Sequence, residues 1–129
     1  MSNATSGSGD SSDAPESFTY TGHSDNVFCV SYSPAGQHIA SGARDRTVRV
    51  WRVPTGEDYL LYREHLSPLL SVAWSPDGRY IASGDTTGVI NVWDASSGKT
   101  LITYRGHTRF VRGLAWSPDG RYIASGGDF

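Results

Sequence analysis

From Ser17 to the C-terminus, short runs rich in Val, Ile, Tyr and Trp alternate with clusters of Gly, Pro, Asp and Ser, and no stretch carries a helical period of useful length. Runs of this size read as strands, expected at 17–21, 27–32, 37–41, 46–52, 58–62, 69–74, 79–84, 88–93, 100–104, 111–116 and 121–125. The connectors carry their own chemistry. In Ser75-Pro76-Asp77-Gly78 and Ser117-Pro118-Asp119-Gly120, proline presets φ at the first central position, aspartate suits the second, and glycine frees the exit. Each specifies a tight hairpin, and Pro54-Thr55-Gly56 and Ser96-Ser97-Gly98 turn the next pair of strands.

The pattern repeats every 42 residues: His23, His65 and His107 keep that step, as do Ser33-Pro34, Ser75-Pro76 and Ser117-Pro118, and Trp51 returns as Trp93. Ser41-Gly42, Ser83-Gly84 and Ser125-Gly126 hold the same register. A period of roughly 40 to 45 residues built of short strands indicates units that cannot bury an apolar face alone and must stack on their neighbours. The expected product is a β-propeller surface for binding.

Composition adds limits more than content. A hydrophobic fraction of 37% suffices for a packed core, whereas a net charge of −2 gives no reason to favour nucleic acid or an anionic membrane. Cys29 is the single cysteine, so neither an internal disulfide nor a thiolate metal cluster is expected. No apolar run approaches the roughly 20 residues of a membrane span. Residues 1–16 are mostly Ser, Gly, Asn and Asp, which reads as a disordered tail; lacking a basic start and an apolar stretch, it is no secretory signal, and the protein reads as cytoplasmic.

Gly22-His23, a strand, Ser33-Pro34, Ile39-Ala40-Ser41-Gly42, Asp45 and Val50-Trp51 together resemble one unit of the WD-repeat family. A second unit runs from Glu64-His65 to Trp93-Asp94, the dipeptide for which the family is named, and a third from Gly106-His107 to Ser125-Gly126. The resemblance implies an all-β fold of four-stranded antiparallel blades over 17–129, with repeats at about 22–62, 64–104 and 106–129, the third truncated. It also implies that Phe18-Thr19-Tyr20, matching Leu60-Leu61-Tyr62 and Ile102-Thr103-Tyr104, is an outer strand without a blade of its own; in the family such a strand completes the last blade. About 2.7 units fall short of the four to eight blades that propellers use, so an incomplete, open propeller is expected. Two readings stand: a fragment of a longer propeller continuing after Phe129, or a short chain that closes by oligomerising through its open blade edges.

His23, Ser41 and Asp45 invite a hydrolase reading, since these residue types make the acyl-transfer triad. The resemblance implies instead a structural network in which Asp45 accepts from His23, His23 bonds Ser41, and Ser41 accepts the indole N–H of Trp51. Nothing in the chain resembles the strained nucleophile elbow or an oxyanion hole. Carried to the other units, the network comprises His65, Ser83 and Trp93, then His107 and Ser125. Thr87 stands where the second unit should place its carboxylate, predicting a weaker network there, while Asp128 could substitute in the third; Arg52 replaces the aspartate expected after Trp51.

Function is sought where units differ. Aligned on histidine, the entry loops read Ser24-Asp25-Asn26, Leu66-Ser67-Pro68 and Thr108-Arg109-Phe110, and the position five after histidine reads Phe28, Leu70 and Arg112. The residue before the turn carboxylate reads Arg44 and Thr86. The resemblance places these at the narrower face around the channel, where partners dock. Asn26, Phe28, Arg44, Pro68, Leu70, Thr86, Phe110 and Arg112 are therefore the partner-binding candidates, with aromatic and arginine side chains suited to interface hot spots. Tyr32, Trp74 and Trp116 read as core, and His38, without ligand partners, as a solvated strand residue. The leading expectation is a non-catalytic scaffold that binds proteins or peptides and needs no cofactor or metal. The alternatives are an accessory propeller of a larger signalling or regulatory enzyme and, remotely, a hydrolase using Ser41, His23 and Asp45.

Overall fold

Turn chemistry and strand alternation meet in the hairpins. The computed structural model describes residues 4–8 and 16–127. Gly78 and Gly120 both sit at φ 73°, the left-handed region that glycine enters without a Cβ penalty. The Asp77 carboxylate accepts from the Ser75 hydroxyl at 2.6 Å and the Arg79 amide at 3.0 Å, locking the turn it interrupts.

Among the described residues twelve strands result: β1 (Ala4–Ser8), β2 (Glu16–Tyr20), β3 (Val27–Tyr32), β4 (His38–Ala43), β5 (Val48–Arg52), β6 (Asp58–Tyr62), β7 (Leu69–Trp74), β8 (Tyr80–Asp85), β9 (Ile90–Asp94), β10 (Thr100–Tyr104), β11 (Val111–Trp116) and β12 (Ile123–Gly127). Two sheets are complete antiparallel blades, β3-β4-β5-β6 and β7-β8-β9-β10; β1-β2 and β11-β12 are two-stranded. The first strand of each blade packs beside the first strand of the next, β3 against β7 and β7 against β11.

Residues 4–8 depart from the expectation of a disordered tail across 1–16. They form β1, paired with β2 from Ala4↔Tyr20 to Ser8↔Glu16. A strand at a sheet edge offers unpaired backbone groups, and a segment needs no apolar side chains to pair with them.

The blades meet across an apolar seam. Ala40, Val48, Val50, Tyr62, Leu69, Val72, Ile81, Trp93 and Ala95 form one buried cluster, and Tyr20, Ile39 and Trp51 a smaller one. The glycine of each Ser-Gly pair has a packing reason. A Cβ on Gly42 would lie 2.9 Å from Leu69 Cβ, and one on Gly84 would lie 2.6 Å from Val111 Cγ1, so only glycine lets the next blade approach this closely. Trp74 donates its indole N–H to the Ser31 carbonyl at 3.0 Å, and Trp116 does the same to Ala73, also at 3.0 Å, so both act across a seam. Tyr32, at the matching position of the first blade, is 44% exposed instead of core, because no blade among the described residues covers it. His38 is not a solvated strand residue either. Its ring lies 4.6 Å from that of Tyr59 and 6.3 Å from that of Trp74, and burial followed by the nearby Arg52 charge pushes its pKa down.

Candidate functional site

Within each blade, strand alternation sends a serine and the following indole toward the same buried point. In the first blade Ser41 Oγ accepts from Trp51 Nε1 at 3.1 Å and lies 2.7 Å from His23 Nε2, while His23 Nδ1 lies 3.0 Å from Asp45 Oδ2. The carboxylate can only accept, so Nδ1 carries the ring proton, Nε2 accepts, and the serine hydroxyl donates to it. The relay therefore runs from indole to hydroxyl to imidazole to carboxylate, every donor matched to an acceptor. Asp45 also receives the Ser24 amide at 3.0 Å and the Thr47 hydroxyl at 2.6 Å.

The second blade contains the same relay, with a different origin for its carboxylate. His65 Nε2 lies 2.7 Å from Ser83 Oγ, which accepts from Trp93 Nε1 at 3.0 Å. His65 Nδ1 lies 2.8 Å from Asp85 Oδ2, so the expectation that Thr87 leaves this histidine without a carboxylate is corrected. Ser83 and Asp85 are two apart on one strand and so share a face, both aimed at the same ring. Thr87 caps the arrangement, donating its amide at 2.9 Å and its hydroxyl at 2.8 Å to Asp85 Oδ1, and the Val89 amide adds a third bond at 3.1 Å. The signal missed in the sequence is the Ser-Gly-Asp spacing, which a strict 42-residue alignment conceals. In the third unit His107 Nε2 lies 2.7 Å from Ser125 Oγ, and Asp128 lies outside the described residues.

Burial governs the electrostatics of these relays. It pushes the His23 pKa down, and the opposing pull of Asp45 does not restore it. Burial alone would push Asp45 up, yet the bonds from Thr47, His23 and Ser24 together hold it below the usual carboxylate range. In Asp85 the bonds from His65, Thr87 and Val89 outweigh burial still further and bring the pKa to about 2. The His23–Asp45 pair is thus a neutral imidazole on an ionised carboxylate. The hydroxyl–imidazole–carboxylate order is that of an acyl-transfer triad, but Ser41 and Ser83 are fully buried, and each already accepts an indole N–H. A nucleophile must reach a substrate carbonyl. These hydroxyls face protein on every side.

The partner-binding candidates lie at the end of the sheets where β3, β7 and β11 begin. The Arg44 amide donates to the Asn26 carbonyl at 2.8 Å and the Thr86 amide to the Pro68 carbonyl at 3.1 Å, joining loop and turn identically in both blades. Asn26, Phe28, Arg44 and Arg112 are exposed, and Pro68, Leu70, Thr86 and Phe110 half-buried. Arg44 Nε reaches 4.0 Å from Asp25 Oδ2, and the Arg112 and Arg109 guanidinium groups lie 5.0 and 5.4 Å from the centre of the Phe110 ring. No group of His, Cys, Asp and Glu among the described residues is arranged to hold a metal. No described helix is long and apolar enough to cross a membrane.

The family profile described as "WD domain, G-beta repeat" matches residues 15–52, 56–94 and 98–129. Among curated proteins, the chain is 49% identical over 41 residues to "Ribosome biogenesis protein BOP1 homolog" of Drosophila virilis, a stretch covering 32% of this chain and 5% of that protein. It is 52% identical over 40 residues to "Ribosome biogenesis protein BOP1" of Rattus norvegicus, covering 31% and 6%, and 51% identical over 41 residues to "Ribosome biogenesis protein bop1-A" of Xenopus laevis, covering 32% and 6%. The matched stretch spans about one-twentieth of these relatives' length. They overturn the cytoplasmic reading: their names attach them to ribosome biogenesis, and the lack of a secretory signal never singled out the cytoplasm.

Proposed function

The chain belongs to the WD-repeat family, and on that premise we propose that it is a non-catalytic scaffold that binds other proteins or peptides through the end of its blades carrying Asn26, Phe28, Arg44, Phe110 and Arg112. One observation carries the reading. The histidine, serine and tryptophan shared by the first two units are taken up in the relays, while the entry-loop side chains that differ lie at one end, with Asn26, Phe28, Arg44 and Arg112 exposed there. An arginine pair flanking an aromatic ring suits a partner segment with carboxylates beside an apolar side chain. The likeness to ribosome biogenesis proteins spans a single repeat's length and supports seeking that partner first among ribosome-assembly factors.

The test is a capture experiment from nuclear extract with the wild-type chain and the Arg44→Ala, Phe110→Ala and Arg112→Ala variants. Hot-spot truncations cost at least about 2 kcal/mol of affinity, a factor of about 30, whereas exposed changes alter stability by less than about 0.5 kcal/mol. Bound protein should fall at an unchanged melting temperature. Melting that falls in step with binding would assign these side chains to blade packing.

A further inference from the structure

Ser33, Ser67, Ser75 and Ser117 each precede a proline, and all but Ser67 are committed to a hairpin. Ser33 Oγ accepts the His38 amide at 3.0 Å, and Ser75 and Ser117 accept the Tyr80 and Tyr122 amides at 3.0 Å while donating to Asp77 and Asp119 at 2.6 Å. Ser67 differs. Its Oγ is buried without a hydrogen-bond partner, in the loop that crosses from β6 to β7. Asp25 holds this place in the first unit, where its carboxylate accepts the Asn26 amide at 2.8 Å. In the second unit Pro68 stands in for Asn26 and has no N–H to give. A buried hydroxyl left unpaired is rare in native structures and asks for a reason.

We propose that Ser67 is a phosphoacceptor for a proline-directed protein kinase, and that its phosphoryl group is clasped by Arg44 and Arg46 of the neighbouring blade. Residues 66–68 can be lifted toward a kinase. Leu66 is 90% exposed, and among the described residues the bond from the Thr86 amide to the Pro68 carbonyl, at 3.1 Å, is the one hydrogen bond these three residues make. The relay holds His65 on one side and burial holds Leu69 on the other. In the transfer, Oγ bonds to the γ-phosphorus of a nucleoside triphosphate and the bond from that phosphorus to the bridging oxygen breaks. The hydroxyl proton passes to the kinase's base, and nucleoside diphosphate leaves. The product carries a charge of about −1.5 to −2 and cannot return to the hydroxyl's buried place unpaired, so it turns outward. Cations wait there. Gly42 abuts Leu69, and two residues further toward the same end of the sheets stand Arg44 and Ser67. In the first unit Arg44 Nε already lies 4.0 Å from Asp25, the carboxylate at the equivalent position. Arg46 and Ser67 hold the repeat positions of Gly88 and Arg109, and a Cβ on Gly88 would lie 3.1 Å from the Arg109 carbonyl oxygen, so turn and loop are neighbours across a seam. Arg46 keeps the left-handed backbone of that turn, φ 70° against 93° at Gly88, the one non-glycine among the described residues to do so. The strain sets an arginine where glycine would sit freely. Its side chain is exposed and makes no hydrogen bond or ion pair among the described residues, while Glu64, three residues before Ser67, is an exposed carboxylate that opposes the clasp. Engaging Arg44 would also compete with an acidic partner, a consequence that rests on the proposed function; the modification itself is read without any partner.

The full chain is treated with nucleoside triphosphate and a proline-directed kinase chosen because it modifies a peptide of residues 62–72, and the phosphate is mapped by tandem mass spectrometry. Phosphate should appear on Ser67 and be absent from Ser67→Ala, which loses only an unpaired hydroxyl and should melt no lower than wild type. Modification of Ser33, Ser75 or Ser117 in place of Ser67, or a folded chain left unmodified, would overturn the acceptor. Phosphorus NMR then reads the clasp. The second pKa of phosphoserine, near about 6, should lie lower in the folded chain than in urea by about 0.5 unit or more, and Arg46→Ala should reverse part of that shift. Equal midpoints in the folded and urea-unfolded chain, or a shift that survives Arg44→Ala and Arg46→Ala together, would overturn the clasp.

Discussion

Tyr62 lies flat against Trp93, ring centroids 4.2 Å apart and planes within 2°, although the tyrosine ends the outer strand of one blade and the tryptophan sits in the third strand of the next. The Tyr62 hydroxyl reaches Thr100 Oγ1 at 2.5 Å, and Tyr20 repeats the arrangement on Trp51 and Asp58. An apolar face and a polar tip on one side chain thus join successive blades.

Tyr62→Ala should remove that joint. The ring is 2% exposed, so the loss should be about 3–5 kcal/mol, the scale of large aromatic truncations in a core. Leu66→Ala is the matched control: at 90% exposure it should shift stability by less than about 0.5 kcal/mol. Urea midpoints of the two variants decide it.

Asp85→Ala strips acceptors from His65, Thr87 and Val89 at once. With about 1–3 kcal/mol for each buried group left unsatisfied, it should match or exceed Asp45→Ala, while Thr87→Ala should cost only about 1 kcal/mol. Chemical denaturation of the three variants side by side checks the order; Thr87→Ala as the most damaging would contradict the Asp85 relay.

Acid should act in two stages. The His23 pKa is lowered in the folded chain, so the unfolded chain binds more protons once pH falls through 6.5, and stability declines from there. Asp45 and Asp85 are lowered from 3.8, so their contribution, present above that value, is lost as pH falls further, toward about 2 for Asp85. Melting temperature should therefore drop between pH 7 and 5 and again below pH 4. His23→Gln should shrink the first step, which the lowered His38 shares, and keep the second.

Cys29 should be silent in the native protein. Burial pushes its thiol up to about 12, against a lesser opposing pull from a backbone hydrogen bond at Gly42, so almost no thiolate exists at pH 8. A chromogenic disulfide reagent should react slowly with the folded chain and stoichiometrically after addition of denaturant. Rapid native reaction would show that the first blade opens on its own.

Much of this was legible because it rests on spacing. Strand positions, the Ser-Pro-x-Gly turns and the His23, Ser41, Asp45 and Trp51 set all follow from local rules repeated in register. Asp85 was hidden because the carboxylate moved two residues along the strand while keeping its face, a shift that positional alignment scores as a loss. β1 was hidden for another reason: its pairing comes from backbone groups, and composition reports only side chains. Tyr32 was misplaced because burial of that position depends on a neighbouring blade, not on anything within its own unit.

The tyrosine joint also sets the phase between what repeats and what folds. The family profile begins near β2 and first ends at Trp51-Arg52, so each of its first two stretches spans one blade's outer strand and the next blade's first three, and the third an outer strand and the next two. Covalent order thereby supplies the adhesive: cutting the backbone within 63–68 would still leave Tyr62 stacked on Trp93, and a nicked molecule should travel as one particle. The same offset governs recombination. Exchanging a unit at its glycine–histidine start cuts between a tyrosine and the tryptophan it covers, whereas exchanging it before the outer strand moves both together.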